Sequence, residues 1–384
     1  MADSAAAEKK GKTARRRRLS ITNVDEEAVL PGGGAEEAKE TSGEAGGTEA
    51  GKKTKGGRRR RLSIVGLYDA IDVTEQETEE TEAGEADPDA PQTNVISAFG
   101  YTSNAGYEPT GHKKTNQDSF CILEDFANVP NQYVFGVFDG HGRQGHKASN
   151  FVSSQFEATF AAKTESAKNV SSAFKQTFVD LDRSLGASDI DVKMSGTTGC
   201  VVFVRGDQLY TANAGDSRAI LATMDDGALE AVELTFDQKP DLPEEKKRIE
   251  ASGGIVEPIV DPYEGPVGPF RVWVKRQVVP GLAMARSIGD QLASTVGVCA
   301  DPVVNSFKID QNDMFLIVAS DGIWEFMSNE EVIEIMSGYL DNPQKGCDLL
   351  CSEAYKRWKA EEYVVDDITA IVCVFDQAAL AAIA

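Results

Sequence analysis

Thr197-Thr198-Gly199-Cys200-Val201-Val202-Phe203-Val204-Arg205-Gly206-Asp207-Gln208-Leu209-Tyr210-Thr211-Ala212-Asn213-Ala214 reads as two apolar runs joined at Gly206-Asp207. A Gly-Asp pair between strand-like runs is a tight hairpin signal, and a hairpin makes its two strands antiparallel. Outward from this hairpin, helix patterns come in separate groups. Val170, Phe174, Thr177, Phe178, Leu181 and Leu185 recur at helical spacing. Asp241-Leu242-Pro243-Glu244 opens a second helix with a capping-box pattern and an early proline, and Gly253-Gly254 closes it. Ser328-Asn329-Glu330-Glu331 caps a third, and Cys347, Leu350, Cys351, Ala354 and Trp358 form the stripe of the last. Strands grouped in hairpins, with helices in separate pairs, favour an α+β sandwich over a parallel βαβ sheet. Residues 256–280, long and rich in Pro and Gly, read as an ordered loop of the kind that acts as a flap over a site.

Three further apolar runs each carry an aspartate at an end. Tyr133-Val134-Phe135-Gly136-Val137-Phe138 leads into Asp139, and Met314-Phe315-Leu316-Ile317-Val318-Ala319-Ser320 leads into Asp321. Asp366 precedes the run 368–375. Asp139 and Asp321 are each followed by glycine, which frees the backbone to turn a carbonyl toward the same point. Carboxylates gathered at strand ends repel one another unless a hard cation sits between them, which points to Mg²⁺ or Mn²⁺.

The chain has 384 residues and a net charge of −23, enough for one large domain or two ordinary ones. It offers no apolar stretch of bilayer-spanning length, no signal-peptide core and no glycine after Met1 for myristoylation. The expected location is the cytoplasm, with the nucleus as an alternative. The six cysteines form no CxxC pair, so buried thiols in a reducing compartment are expected. With only His112, His141 and His146 available, a zinc site built on imidazoles is disfavoured, while oxygen ligands abound.

Residues 1–94 are rich in Ala, Gly, Glu, Thr and Lys and show no sustained period, the composition of a disordered regulatory segment. Within it Arg15-Arg16-Arg17-Arg18-Leu19-Ser20-Ile21 recurs as Arg58-Arg59-Arg60-Arg61-Leu62-Ser63-Ile64. Between Gly66 and Ser97 there follow ten acidic residues and no basic one. Arg-Arg-Leu-Ser suits a basophilic kinase, which makes Ser20 and Ser63 candidate phosphorylation sites and that kinase a candidate partner. Nuclear import or an anionic partner is the alternative. Two short basic clusters in an acidic protein are a poor basis for nucleic-acid binding, which is not expected.

Seven motifs follow in order: Lys113-Lys114-Thr115-Asn116-Gln117-Asp118, Val137-Phe138-Asp139-Gly140-His141-Gly142, Ser195-Gly196-Thr197-Thr198-Gly199, Asn213-Ala214-Gly215-Asp216-Ser217-Arg218, Leu282-Ala283-Met284-Ala285-Arg286-Ser287-Ile288-Gly289-Asp290, Ala319-Ser320-Asp321-Gly322-Ile323-Trp324 and Asp366-Asp367-Ile368-Thr369. The series resembles the metal-dependent type 2C protein serine/threonine phosphatase family. The resemblance implies a phosphatase domain over residues 95–376, with 377–384 as a short tail. The fold it implies is a four-layer α-β-β-α sandwich of two antiparallel sheets flanked by helix pairs. The activity it implies is hydrolysis of phosphoserine and phosphothreonine proteins by a water bridging two Mg²⁺ or Mn²⁺ ions per subunit, with a third, weaker ion as an option.

By the same resemblance Asp139 bridges the ions, the Gly140 carbonyl faces the second, and Asp321 and Asp366 hold the first. Asp118 would orient water or His141, and His141 would be the general acid. Asp216, Asp290 and Glu325 fall near positions for the extra ion, with turn or sheet-end carboxylates as the competing reading. Thr198 and Arg286 are expected to hold loops, and His112 and His146 to be structural. The chain departs from the family where an arginine and a Glu-Asp pair are common and Lys113 and Gln117-Asp118 stand instead. Lysine lacks the bidentate fork, and Gln117 offers a cation only a neutral oxygen. Asp367, in place of the usual asparagine, would restore some charge, and Arg143 is a further candidate phosphate contact. An active, monomeric phosphatase leads. A catalytically weak phosphatase-like binding protein competes, and the basic repeats are kinase-regulated or pseudosubstrate segments in either case.

Overall fold

The computed structural model describes residues 93–383. The basic repeats with Ser20 and Ser63 lie outside the described residues. In chain order the strands are β1 Ile96–Asn104, β2 Asp118–Leu123, β3 Gln132–His141, β4 Gly196–Thr197, β5 Gly199–Arg205, β6 Gln208–Ala214, β7 Arg218–Asp225, β8 Ala228–Glu233, β9 Gly254–Asp261, β10 Gly265–Val274, β11 Pro280–Leu282, β12 Ile288–Gly289, β13 Val303–Lys308, β14 Asp313–Ala319 and β15 Ile368–Phe375. The helices are α1 Gly145–Ser166, α2 Val170–Gly186, α3 Pro243–Ala251, α4 Gln291–Ser294, α5 Asp321–Trp324, α6 Asn329–Ser337, α7 Pro343–Glu361 and α8 Gln377–Ile383.

One sheet has the order β1-β15-β14-β7-β8. The other runs β12-β4-β3-β5-β6-β13, with β2 added on β3. Every pairing within these two sheets is antiparallel. The fold is the expected α+β sandwich. Its central strands are buried on both faces, which is why they read as unbroken apolar runs. Phe135 and Val137 of β3, Val202 of β5, Leu316 and Val318 of β14 and Ile371 of β15 fill the space between the sheets. Their neighbours of opposite parity face helices: Val134, Phe138 and Phe203 meet α1 and α2, while Phe315, Ile317 and Val372 meet α6 and α7. Phe160 stacks on Phe174 at 4.3 Å and edges onto Phe203 at 5.5 Å. Fully burying each such ring stabilises the fold by about 1.5–3 kcal/mol.

Several expectations need correction. Residues 256–280 are not a loop: β9, β10 and β11 form a separate three-stranded sheet. The turn between β9 and β10 is closed by Asp261, which accepts from the amides of Tyr263 and Glu264. Proline and glycine are tolerated there because the pairing is irregular between Val267 and Arg271. Helix α3 begins on Leu242 with Pro243 in its first turn, and Asp241 makes no capping bond. By contrast, Ser328 and Glu331 do form the reciprocal capping box of α6. Residues 377–383 are not a tail, since α8 buries Leu380 in the inter-sheet core.

Candidate metal centre

β14 and β15 are antiparallel neighbours with Ala319 opposite Ala370. Asp321, just past β14, and Asp366, just before β15, therefore emerge at the same end of their sheet. β3 of the other sheet carries Asp139 near its own end, and β2 places Asp118 directly opposite Asp139. Like charges facing each other across an antiparallel pair repel. Ser320 ties the two sheets together here. Its hydroxyl donates to Asp118 Oδ2 at 2.8 Å and accepts from the Thr369 amide at 3.1 Å. The glycines after Asp139 and Asp321 serve close packing, since neither has a positive φ. A Cβ on Gly140 would lie 2.4 Å from the Gln117 carbonyl oxygen, and one on Gly322 would lie 2.0 Å from that of Asp367.

Burial, and then the charges of Asp118, Asp321, Asp366 and Asp216, push the Asp139 carboxyl well above the usual range. Burial, followed by the charge of Asp367, carries Asp118 up to about 7. Two lysines partly answer this field. Lys114 Nζ lies 2.7 Å from Asp366 Oδ1 and 3.8 Å from Asp367 Oδ2. Burial would lower its pKa, but the two aspartates outweigh burial and raise it. Lys239 pairs with the fully buried Asp216 and also feels Asp321. Among the described residues no three His, Cys, Asp or Glu side chains form a ready-made cage. Hard cations in oxygen sites keep several waters, so a full cage is not required. The mutual repulsion of Asp139, Asp118, Asp321 and Asp366 is what a divalent ion relieves, so the residues fit Mg²⁺ or Mn²⁺.

His141 Nε2 lies 2.5 Å from Asp290 Oδ2. Burial would lower the imidazole pKa, but Asp290 outweighs it and the net direction is up. Asp290 is thus a partner of His141. Gln117 donates from Nε2 to the Gly142 carbonyl at 2.8 Å, which ties the first motif to the Asp-Gly-His-Gly turn. Asp367 adds its charge beside Asp118 and Lys114, and its two oxygens also accept from the amides of Gly106 at 2.7 Å and Gln117 at 3.0 Å, so it clamps loops as well. The Lys113 side chain is exposed while that of Lys114 turns inward, as alternate residues of an extended segment do. Glu325 is exposed one helical turn after Asp321, and Arg143 is exposed beside the site. Thr198 holds a loop as expected, accepting from the Asp139 amide at 2.9 Å and meeting Ser217 at 2.7 Å. Arg286 does so too, gripping Glu245 and the Asp301 carbonyl.

Sequence reasoning missed Lys114, Lys239 and the link from Asp290 to His141. The first could have been suspected from the inward turn that must follow an exposed Lys113. The others join residues distant in the chain and carry no local signal.

The double-sheet sandwich gathers acidic strand ends beside a carboxylate-bound histidine. The sequence matches the family Protein phosphatase 2C over residues 105–362. A "Probable protein phosphatase 2C 35" of Arabidopsis thaliana is 37% identical over 296 residues, spanning 73% of this chain and 85% of the relative. A "Probable protein phosphatase 2C 72" of the same organism is 34% identical over 282 residues, spanning 70% and 83%. Among solved structures, the serine-threonine phosphatase 2C from Toxoplasma gondii superposes with a TM-score of 0.63 at 18% identity, covering 73% of this chain and 97% of that one. The chain belongs to the protein phosphatase 2C family, the metal-dependent protein serine/threonine phosphatases.

Proposed function

We propose that this chain hydrolyses phosphoserine and phosphothreonine in proteins by direct attack of water, with His141 as general acid. The observation that carries the reading is the convergence of Asp139, Asp321 and Asp366 beside His141, in a field that opposes ionisation of the buried carboxylates. Two Mg²⁺ or Mn²⁺ ions, held by Asp139, Asp321, Asp366 and the Gly140 carbonyl, would lower the pKa of the attacking water and shield the phosphate. Asp118 orients the water side of the site through its place opposite Asp139. As the water oxygen bonds phosphorus, the phosphorus–serine oxygen bond breaks and its electron pair stays on the serine oxygen. That oxygen takes a proton from His141, and the water's surplus proton passes to solvent, leaving serine and inorganic phosphate.

The test is turnover of a phosphoserine peptide in Mn²⁺ and in chelator. Asp139→Asn and Asp321→Asn are expected to lower it by about 10²–10³-fold, the scale of removing a charge-stabilising group at a reacting centre. Normal turnover in either variant, or in chelator, would falsify the reading. Metal-independent binding of the peptide without turnover would favour the phosphatase-like binding protein.

A further inference from the structure

We propose that Asp290 is a positioning residue, which accepts a hydrogen bond from His141 Nε2–H and so fixes the orientation and tautomer of the imidazole for its general-acid task. The inference rests on the general-acid reading of His141. The geometry is built by three short strand segments. His141 pairs with Gly196 across β3 and β4, and Gly196 pairs with Gly289 across β4 and β12. Asp290, next in the chain, therefore lies two strands from the imidazole. It can reach across only because Gly196 has no side chain: a Cβ there would sit 2.4 Å from Asp290 Oδ2.

The carboxylate is itself held. Ser287 Oγ donates to the same Oδ2 at 2.7 Å, and the Asp290 amide donates to the Ser195 carbonyl at 3.0 Å. The Asp290 backbone is left-handed, with φ +43°, and the residue is 1% exposed. A side chain held in a sparsely populated conformation and buried with its charge is over-determined by its surroundings, as groups with a positioning task are. A carboxylate accepts, so the shared proton belongs to Nε2. Nδ1 is buried and has no hydrogen-bond partner in the protein. A carboxylate behind a histidine sets its tautomer and ring orientation in this way.

The experiment compares wild type, Asp290→Asn, His141→Gln and the double variant in Mn²⁺. The substrates are a phosphoserine peptide, whose leaving oxygen needs a proton, and p-nitrophenyl phosphate, whose leaving group needs little help. Asp290→Asn is expected to lower kcat for the peptide by about tenfold, less than the roughly 10²–10⁴-fold that general-acid catalysis supplies as a whole, and for the aryl ester by far less. KM and the Mn²⁺ requirement should hold, and the double variant should match His141→Gln. In the ¹⁵N-edited NMR spectrum, the downfield Nε2–H resonance of His141 should vanish in Asp290→Asn. Ser287→Ala, which keeps the carboxylate, should move both readouts the same way by less, and it serves as the test if Asp290→Asn does not fold. An unchanged imidazole resonance in these variants overturns the proposal. So does an equal fall for both substrates with a shifted Mn²⁺ requirement, which would make Asp290 an ion ligand. If His141→Gln leaves the peptide-to-aryl ratio at the wild-type value, the general-acid reading falls with it. A lost resonance with wild-type peptide turnover overturns the role of Asp290 alone.

Discussion

Replacing Asp118 by asparagine should make the metal-free protein more stable while impairing its chemistry. Asp118 is 8% exposed, faces Asp139 across the β2–β3 pair, and its carboxyl is carried from 3.8 up to about 7 by burial and then by Asp367. At about 1.4 kcal/mol per tenfold in proton activity, keeping it ionised at pH 8 costs about 4 kcal/mol relative to the unfolded chain. The folded pKa lies above the unfolded one, so the native state binds more protons between them. The penalty is absent below pH 3.8 and complete above about 7. Asparagine keeps an acceptor for the Ser320 hydroxyl and loses the charge, so the expected gain at pH 8 is about 2–4 kcal/mol, shrinking toward zero near pH 4. The assay is urea unfolding in EDTA at both pH values, repeated with Mn²⁺. An ion held at 100 times its Kd stabilises by about 2.7 kcal/mol, so Mn²⁺ should narrow the gap by favouring the wild type. An Asp118→Asn variant no more stable than wild type in EDTA at pH 8 would refute the picture of a repulsive, cation-demanding cluster.

Two other perturbations follow from buried contacts. Glu245 is 1% exposed and binds Arg286 Nη2 at 2.6 Å and Arg248 Nη1 at 2.7 Å. Glu245→Gln should lose about 3 kcal/mol at pH 7 by urea unfolding, the scale for breaking a buried ion pair. Burial would raise the Glu245 pKa, but the two arginines outweigh it and hold the carboxyl below 4.5. The stabilisation is therefore present above pH 4.5 and is lost as pH falls through the lowered value, and a pH-independent difference would contradict this. Trp358 is buried, meets Phe326 edge-on at 4.8 Å and donates from Nε1 to the Gly322 carbonyl at 2.8 Å, behind Asp321. Trp358→Ala should destabilise by about 3–5 kcal/mol in thermal unfolding, and Trp358→Phe by about 1 kcal/mol. Both should raise the Mn²⁺ concentration needed for half-maximal turnover, and an unaltered requirement in Trp358→Ala would separate this ring from the site.

Much of the architecture was legible because burial writes itself into local pattern. Residues 133–138 and 314–319 are apolar at successive positions because one parity faces the other sheet and the opposite parity faces helices. The Gly206-Asp207 turn and the Ser328 capping box were legible because each is closed by residues within a few positions of one another. The strands β9 to β11 were not: their prolines and glycines carry the composition of a loop, and only cross-strand pairing with an irregular register makes them a sheet. The helix after Phe375 was missed because its anchor, Leu380, is defined by a core that other strands build.

The sequence by itself determined which carboxylates stand at strand ends, since an apolar run stopping at Asp139 or Asp321 has little other place to put its charge. It also determined the family, through seven ordered motifs. Tertiary structure alone decided the pairings. Asp118 faces Asp139 through strand register, Lys114 rather than Lys113 meets Asp366 through the direction of one extended segment, and Asp290 reaches across Gly196 to His141, 149 residues away in the chain. Those contacts act over a few ångströms between residues far apart in the chain, and only the folded backbone sets such distances.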